Sequence, residues 1–95
     1  MKIIKEFILR EIAGEYVLIP TGDTTREFNG LITLTDTARF IWEHLESTNS
    51  FNELLDLILE EYEIDRDTAA QDAAQLIVQL LNRRFVALTK EDGSW

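Results

Sequence analysis

The sequence predicts an α+β domain of the winged helix-turn-helix type, in which three N-terminal antiparallel strands are followed by three helices. The N-terminal third contains runs of strand-forming residues separated by turn residues. From about residue 35 onward, apolar residues recur at the three- and four-residue spacing of amphipathic helices. A chain of 95 residues can bury one compact core, so residues 1–95 are expected to form a single domain.

The first two strands are predicted to form a hairpin. Residues 7–12 are rich in strand formers, and residues 13–15 supply a tight turn. The second strand covers residues 16–19 and stops at Pro20, because proline cannot donate a hydrogen bond to a strand ladder.

The third strand is predicted after a polar loop over residues 21–27. Asn29 and Gly30 favour the positive φ values of a turn, and they stand directly before the short apolar run of residues 31–34. This run is expected to be an edge strand of the sheet.

Three helices are predicted from capping residues and apolar spacing. The residues able to cap their N-termini are Thr35 or Asp36 for the first, Ser50 with Glu53 as a capping box for the second, and Asp65 or Asp67 for the third. The apolar stripes are Ala38, Ile41, Trp42 and Leu45 in the first helix, and Phe51, Leu54, Leu55, Ile58 and Tyr62 in the second. The third helix is expected to run to about Arg83, and the apolar segment 85–88 is compatible with a final strand.

The third helix carries more apolar surface than one packing face requires. At ~100° per residue, its apolar residues fill a continuous arc of about 200°, whereas a helix needs a stripe only somewhat wider than about 100° to sit on a core. Two interpretations remain open: tight packing of this helix on the sheet, or a shallow apolar groove between it and the third strand.

The groove interpretation gives a candidate peptide-binding site. Small side chains on the helix would let another backbone approach closely, and a short edge strand could accept a peptide as an added strand. The residues predicted to line this site are Leu31, Ile32, Thr33 and Leu34 on the strand, and Ala69, Ala70, Ala73, Ala74 and Ile77 on the helix.

The charge of the chain counts against nucleic acid as a partner. Eighteen acidic residues stand against nine basic ones. Such a surface repels a phosphate backbone, because affinity for nucleic acid comes largely from lysine and arginine. The acid excess serves solubility or, alternatively, attracts a basic partner surface.

Catalysis, a bound metal and a cofactor are not expected. The chain has no cysteine, and its single histidine, His44, lies on the predicted polar side of the first helix, so no transition-metal ligand set is apparent. The four glycines are isolated, which excludes a phosphate-binding loop. No apolar run approaches the ~20 residues of a membrane span, and the N-terminus does not read as a secretory signal, so a cytoplasmic location is expected.

Four segments, in this order, resemble proteins of the PqqD-like family. Residues 12–18 (IAGEYVL) look like the family's hairpin, and residues 28–34 (FNGLITL) look like its third strand and the approach to it. Residues 35–45 (TDTARFIWEHL) are similar to its first helix, and Asp72 with the Ile/Leu-rich stretch that follows is similar to its third. The resemblance covers about residues 7–88.

The resemblance implies a non-catalytic RiPP recognition element, that is, a protein that binds the leader of a ribosomally synthesised precursor peptide as an added strand. It also implies a partner that modifies the precursor: a radical SAM enzyme, a cyclase or a leader protease. On this sequence the contact strand would be residues 31–34 and the contact helix residues 69–77. Asp72 would be a polar anchor or, alternatively, a solvated residue. The chain lacks the cysteine common after the family's first helix, so no pyrroloquinoline quinone pathway is assigned.

Two other functions remain open. A winged-helix DNA-binding regulator could read adenines with Gln71, Gln75 and Gln79, although its third helix has no basic residue after its first turn until Arg83 and Arg84. The second open function is that of a small structural or regulatory protein with a different ligand.

Two features of the surface also remain open. The unpaired third strand could pair with its copy in a second chain, so that a homodimer would compete with leader binding. Phe40 lies opposite the apolar stripe of the first helix, where it either covers the N-terminal strands or belongs to an exposed patch that docks the modifying enzyme.

Overall fold

The computed structural model describes residues 1–89 and Trp95, and it confirms the predicted α+β architecture. The strands are β1 (Lys2–Ile3), β2 (Phe7–Ile12), β3 (Glu15–Pro20), β4 (Ile32–Leu34) and β5 (Val86–Ala87). The helices are α1 (Thr24–Glu27), α2 (Asp36–His44), α3 (Phe51–Glu61) and α4 (Arg66–Asn82). The three predicted strands form an antiparallel sheet in the order β2-β3-β4.

Two small elements, α1 and β1, were not predicted. The expected polar loop before the third strand contains α1, a single helical turn whose Thr24 is buried and accepts a hydrogen bond from the Glu6 amide at 2.8 Å. The final apolar segment does form a strand, β5, and it pairs with β1 at the other end of the chain, Lys2 opposite Ala87. A pairing between segments so far apart in sequence leaves no local signal, so β1 was not predicted.

The β2–β3 hairpin closes through a two-residue turn. Ala13 has φ 52° and Gly14 has φ 81°, and Ile12 pairs with Glu15 on either side of them. Positive φ at both central residues is the signature of a type I′ turn, whose twist matches the twist of the two strands. Glycine accepts this geometry freely, whereas alanine carries a steric penalty between its Cβ and the backbone.

Replacing Ala13 with asparagine is expected to stabilise the protein by about 0.5–1 kcal/mol, because asparagine tolerates positive φ better than alanine. The measurement is the midpoint of urea unfolding. As a control, Gly14→Ala should destabilise by about 1 kcal/mol, because an added Cβ meets no atom within 4 Å and only the φ of 81° opposes it. Equal midpoints for Ala13→Asn and the unmodified protein would contradict the turn assignment.

Side-chain caps fix where the three long helices begin. The side chains of Thr35, Ser50 and Asp65 accept hydrogen bonds from the amides three residues further on, at 3.1, 3.0 and 3.2 Å. These bonds decide both open alternatives: Thr35 rather than Asp36 caps α2, and Asp65 rather than Asp67 caps α4.

One core joins the sheet to the helices. Its largest fully buried side chains are Leu18, Ile41, Leu45, Leu54 and Ile58. At one end of the core, the Phe7 ring makes edge contacts with Phe28, Trp42 and Phe85, with centroids 6.3, 5.9 and 4.8 Å away. Sheet and helical bundle therefore share a single apolar interior.

The structure decides the open position of Phe40, and it shows that His44 is less exposed than predicted. Phe40 is 7% exposed, stacks on the His44 ring and meets the Tyr62 ring edge-on. His44 is half-buried, and its Nδ1 lies 2.8 Å from the carbonyl oxygen of Phe40. Phe40 is thus a core residue rather than part of an exposed docking patch. Among the helices described in residues 1–89, none has the length and apolarity needed to cross a membrane.

Candidate functional site

A cavity of about 570 Å³ lies between β4 and α4, where the sequence predicted a groove. We call it the β4–α4 groove. Its walls are Ile32, Thr33 and Leu34 of β4, Thr35, Thr37, Ala38 and Ile41 at the start of α2, and Asp72, Gln75, Leu76, Gln79, Leu80 and Arg83 along α4, with Leu18 and Phe85 also contributing. Its lining combines apolar side chains with a few polar ones, which is typical of a binding site.

One edge of β4 is open to the groove. β4 pairs with β3 through Leu18 opposite Ile32, Val17 opposite Thr33 and Tyr16 opposite Leu34. Within residues 1–89, no other strand pairs with β4, so it is an edge of the three-stranded sheet. An edge strand presents unpaired amide and carbonyl groups, and it is therefore a template for an added strand.

The strand and the helix run in opposite directions along the groove. Phe28, shortly before β4, lies beside Phe85, which follows α4, with ring centroids 5.9 Å apart. Asp36, shortly after β4, is hydrogen-bonded to Tyr62, which precedes α4. One end of the groove is therefore the beginning of β4 with the C-terminus of α4, and the other is the end of β4 with the first turns of α4.

The helix turns a mixed polar and apolar face to the groove. Taking Ala69 as zero at ~100° per residue, the groove residues Asp72, Gln75, Leu76, Gln79 and Arg83 project at about 20° to 120° on one side. The buried stripe of α4 lies between zero and about 80° on the other side, and its members are Ala69, Ala73, Ile77 and Leu80. The groove therefore borders one flank of the buried stripe.

Four of the ten predicted site residues line this groove: Ile32, Thr33, Leu34 and Asp72. Of the others, Ala69, Ala73 and Ile77 are buried in the core, Ala70 is half-buried against it, and Ala74 and Leu31 are exposed outside the lining. Residues 32–34 of the strand line the groove and Leu31 does not, while the helix turns a different face to the groove from the one predicted. The apolar arc extends away from the groove, and Ala70 and Leu81 in that part pack against the core.

The predicted site residues did not include those that contribute most of the helical wall, although Gln75 and Leu76 fall within the contact helix 69–77 that the family resemblance implied. Gln75, Leu76, Gln79 and Arg83 follow Asp72 at three- and four-residue spacing, which places them on one face with it. That spacing was a usable signal, but three of these four side chains are polar, whereas the site was predicted from apolar surface. Gln75 and Gln79, considered as possible base readers, line the groove instead.

A brace holds the far end of β4 against the helices. Asp36 accepts hydrogen bonds from the Tyr62 hydroxyl and from Arg39 Nη2, both at 2.7 Å, and Arg39 Nη1 donates to Glu43 at 3.1 Å. The Arg39 guanidinium also lies over the Tyr16 ring of β3, 4.9 Å from its centroid. The brace thus fixes the strand-to-helix junction that forms one end of the groove.

The brace is expected to make stability depend on pH in the alkaline range. Burial and the Asp36 carboxylate raise the pKa of Tyr62 from 10.0 to about 12. Because the folded pKa exceeds the unfolded one, this contribution is full below pH 10 and is lost as pH rises through about 12. At the acid end, the hydrogen bonds from Arg39 and Tyr62 lower the pKa of Asp36, so its contribution is lost as pH falls below the usual aspartate range.

Absorbance titration of tyrosinate checks this prediction, with Tyr62→Phe removing the phenol that ionises near pH 12. The same variant should destabilise the protein by about 1 kcal/mol at neutral pH, because one partly exposed hydrogen bond to a carboxylate is lost. An unchanged titration curve in Tyr62→Phe would show that the late-ionising phenol lies elsewhere.

Comparisons with known proteins found a family and a solved structure to which this chain is similar. The sequence model of the family described as coenzyme PQQ synthesis protein D (PqqD) matches residues 15–86. A solved structure, "TbiB1 in Complex with the TbiA(beta) Leader Peptide", superposes with a TM-score of 0.66 at 27% sequence identity, over 90% of this chain and 93% of that one. No match was found among the curated proteins.

In the part of the chain that the structure describes, no group of three or more metal-ligating side chains comes together.

Proposed function

The chain belongs to the PqqD family, and from that premise we propose that it is a RiPP recognition element that binds the leader of a precursor peptide. The leader adds as a strand to the open edge of β4 and lies in the β4–α4 groove. The observation that carries this proposal is the coincidence, at one place, of an unpaired strand edge and a cavity lined by a helix. The matched structure is that of a complex with a leader peptide.

The strand edge and the groove have separate roles in this proposal. Hydrogen bonds from the backbone of β4 give affinity that does not depend on leader sequence. Alternate side chains of the added strand point into the groove, where Leu34, Leu76 and Ala38 offer apolar contact and Gln75 and Gln79 offer hydrogen bonds. The polar groups therefore fix register, while the apolar surface contributes most of the binding free energy.

The protein acts in this proposal as a single non-catalytic domain that delivers its peptide to a separate modifying enzyme. That enzyme is of the radical SAM, cyclase or leader-protease type, and delivery takes place in the cytoplasm, where precursors are synthesised. Neither the family nor the matched structure favours the DNA-binding alternative.

A homodimer through β4 would use the same edge as the leader. Two copies pairing β4 with β4 would leave no open edge for a peptide, because each edge accepts only one added strand. Sedimentation of the protein with and without leader tests this: dissociation on adding leader supports a competing dimer, and a dimer that binds leader without dissociating excludes it.

The proposed function is tested by an NMR titration of labelled protein with the synthetic leader of the precursor encoded nearest its gene. We expect shifts at Ile32, Thr33 and Leu34 together with Gln75, Leu76 and Gln79, and none at the exposed residues Glu60 and Glu61 of α3. Shifts confined to residues outside β4 and the groove face of α4 would refute strand addition at this site. Saturable binding of the leader without shifts in β4 would mean that the protein does bind the peptide, but at a different site.

A further inference from the structure

We propose that the β4–α4 groove selects its peptide by charge, with Arg83 and Arg84 at the C-terminal end of α4 pairing with an aspartate or glutamate of the leader. This inference rests on the proposed function, since it concerns the sequence of the peptide bound there. Arg83 lines the groove and also a second cavity, which it shares with Arg84, Lys5 and Phe85. Arg83 therefore stands where the groove ends, and Arg84 lies beside it on the second cavity, which Glu27 also lines.

These two cations are available to a ligand. Within the described part of the chain, Lys5 pairs with Glu27, Arg39 with Asp36 and Glu43, and Arg66 with Asp56. Arg83 and Arg84 are exposed and make no ion pair with the described residues; Arg83 rests only over the Phe85 ring, 5.7 Å from its centroid. In a chain of net charge −9, Arg83 therefore places a positive charge at the end of the groove, with Arg84 adjacent to it.

The backbone conformation of Arg84 is a second argument for a role of its side chain in binding. The Arg84 amide donates to the Leu81 carbonyl and the Phe85 amide to the Leu80 carbonyl, both at 3.0 Å, which is the Schellman arrangement that ends a helix. Arg84 occupies its left-handed position with φ 60°, where glycine is the usual residue. An arginine held in unfavourable backbone geometry at the edge of a cavity indicates that its side chain serves binding at some cost in stability.

Asp72 places the opposite charge toward the other end of the groove. It lines the groove, is exposed and makes no ion pair with the described residues. Eleven helical residues at ~1.5 Å each separate it from Arg83, or ~16 Å, which an extended peptide covers in about five residues. Because only alternate side chains of the added strand face the groove, the preferred peptide carries an acidic residue at the Arg83 end and a basic residue four or six positions away.

Selection from a phage-displayed library of random twelve-residue peptides tests this proposal on the intact protein. The unmodified protein should enrich peptides with an acidic residue, and the Arg83→Glu/Arg84→Glu protein should lose that enrichment. Arg10→Glu is the matched control, because Arg10 is exposed on β2 and lines neither cavity. Peptides selected without any acidic preference would overturn the charge proposal while leaving peptide capture intact. Failure to select any peptide would count against the proposed function itself.

Arg84→Gly separates binding from folding. It should raise the urea midpoint, because glycine relieves the left-handed strain, and weaken binding of the best selected peptide about two- to fivefold, the range of an exposed ion pair. Changing the acidic residue of that peptide to its amide should weaken binding to the unmodified protein by a similar factor, but not binding to Arg83→Glu/Arg84→Glu. If the losses of affinity from the peptide change and from the arginine changes were simply additive, the arginines and the acidic residue would not pair directly.

Discussion

Replacing Leu76 with glutamate is expected to weaken leader binding roughly thirtyfold, which corresponds to about 2 kcal/mol. Leu76 is half-buried on α4 and faces the β4–α4 groove. A carboxylate there removes apolar contact with the peptide, and the added strand would bury the new charge without a partner. The affinity is measured by fluorescence anisotropy of a labelled synthetic leader.

Val78→Glu is the matched control, because it makes the same kind of change on the same helix outside the groove. Val78 is 53% exposed and does not line the cavity, so its replacement should leave the affinity unchanged. Both variants should keep the circular dichroism of the parent, since Leu76 is only partly buried. A folded Leu76→Glu protein that binds leader normally would show that the peptide does not occupy this groove.

The second large effect is on stability: Phe40→Ala is expected to destabilise the protein by about 3–4 kcal/mol. The ring is 7% exposed, belongs to the main core and contacts both His44 and Tyr62. Removing it leaves a cavity against α2 and loosens Tyr62, which is one partner in the brace at the end of β4. The measurement is the free energy of unfolding in urea.

An exposed apolar residue provides the comparison for Phe40. Val78→Ala should change the free energy of unfolding by no more than about 0.5 kcal/mol, because surface replacements rarely have larger effects. A contrary result would be a Phe40→Ala protein whose free energy of unfolding changes by no more than that of Val78→Ala but which no longer pulls down a modifying enzyme. Phe40 would then be a docking residue rather than a core residue.

Local sequence signals were sufficient for the main elements of the fold. The hairpin turn near Ala13 and Gly14, the cap at Ser50 and the end of the second strand near Pro20 each depend on a few residues, so each could be read from the chain, whereas the choice of Thr35 over Asp36 as a cap needed the structure. The pairing of β1 with β5 could not be read in this way, because it joins the two ends of the described chain and depends on how the core brings them together.

For the candidate site, the sequence by itself indicated an edge strand beside a long helix and left tight packing and a groove both open. Three of the four strand residues it named, Ile32, Thr33 and Leu34, line the groove, and Leu31 does not. The rotation of α4 was decided only by tertiary packing. Its apolar arc is wide enough to allow several orientations, and the one adopted buries Ala69, Ala73 and Ile77. That choice turns Asp72, Leu76 and Arg83 toward β4. A helix packs in the orientation that buries the stripe fitting its neighbours best, and the sequence of the helix does not specify the shape of those neighbours.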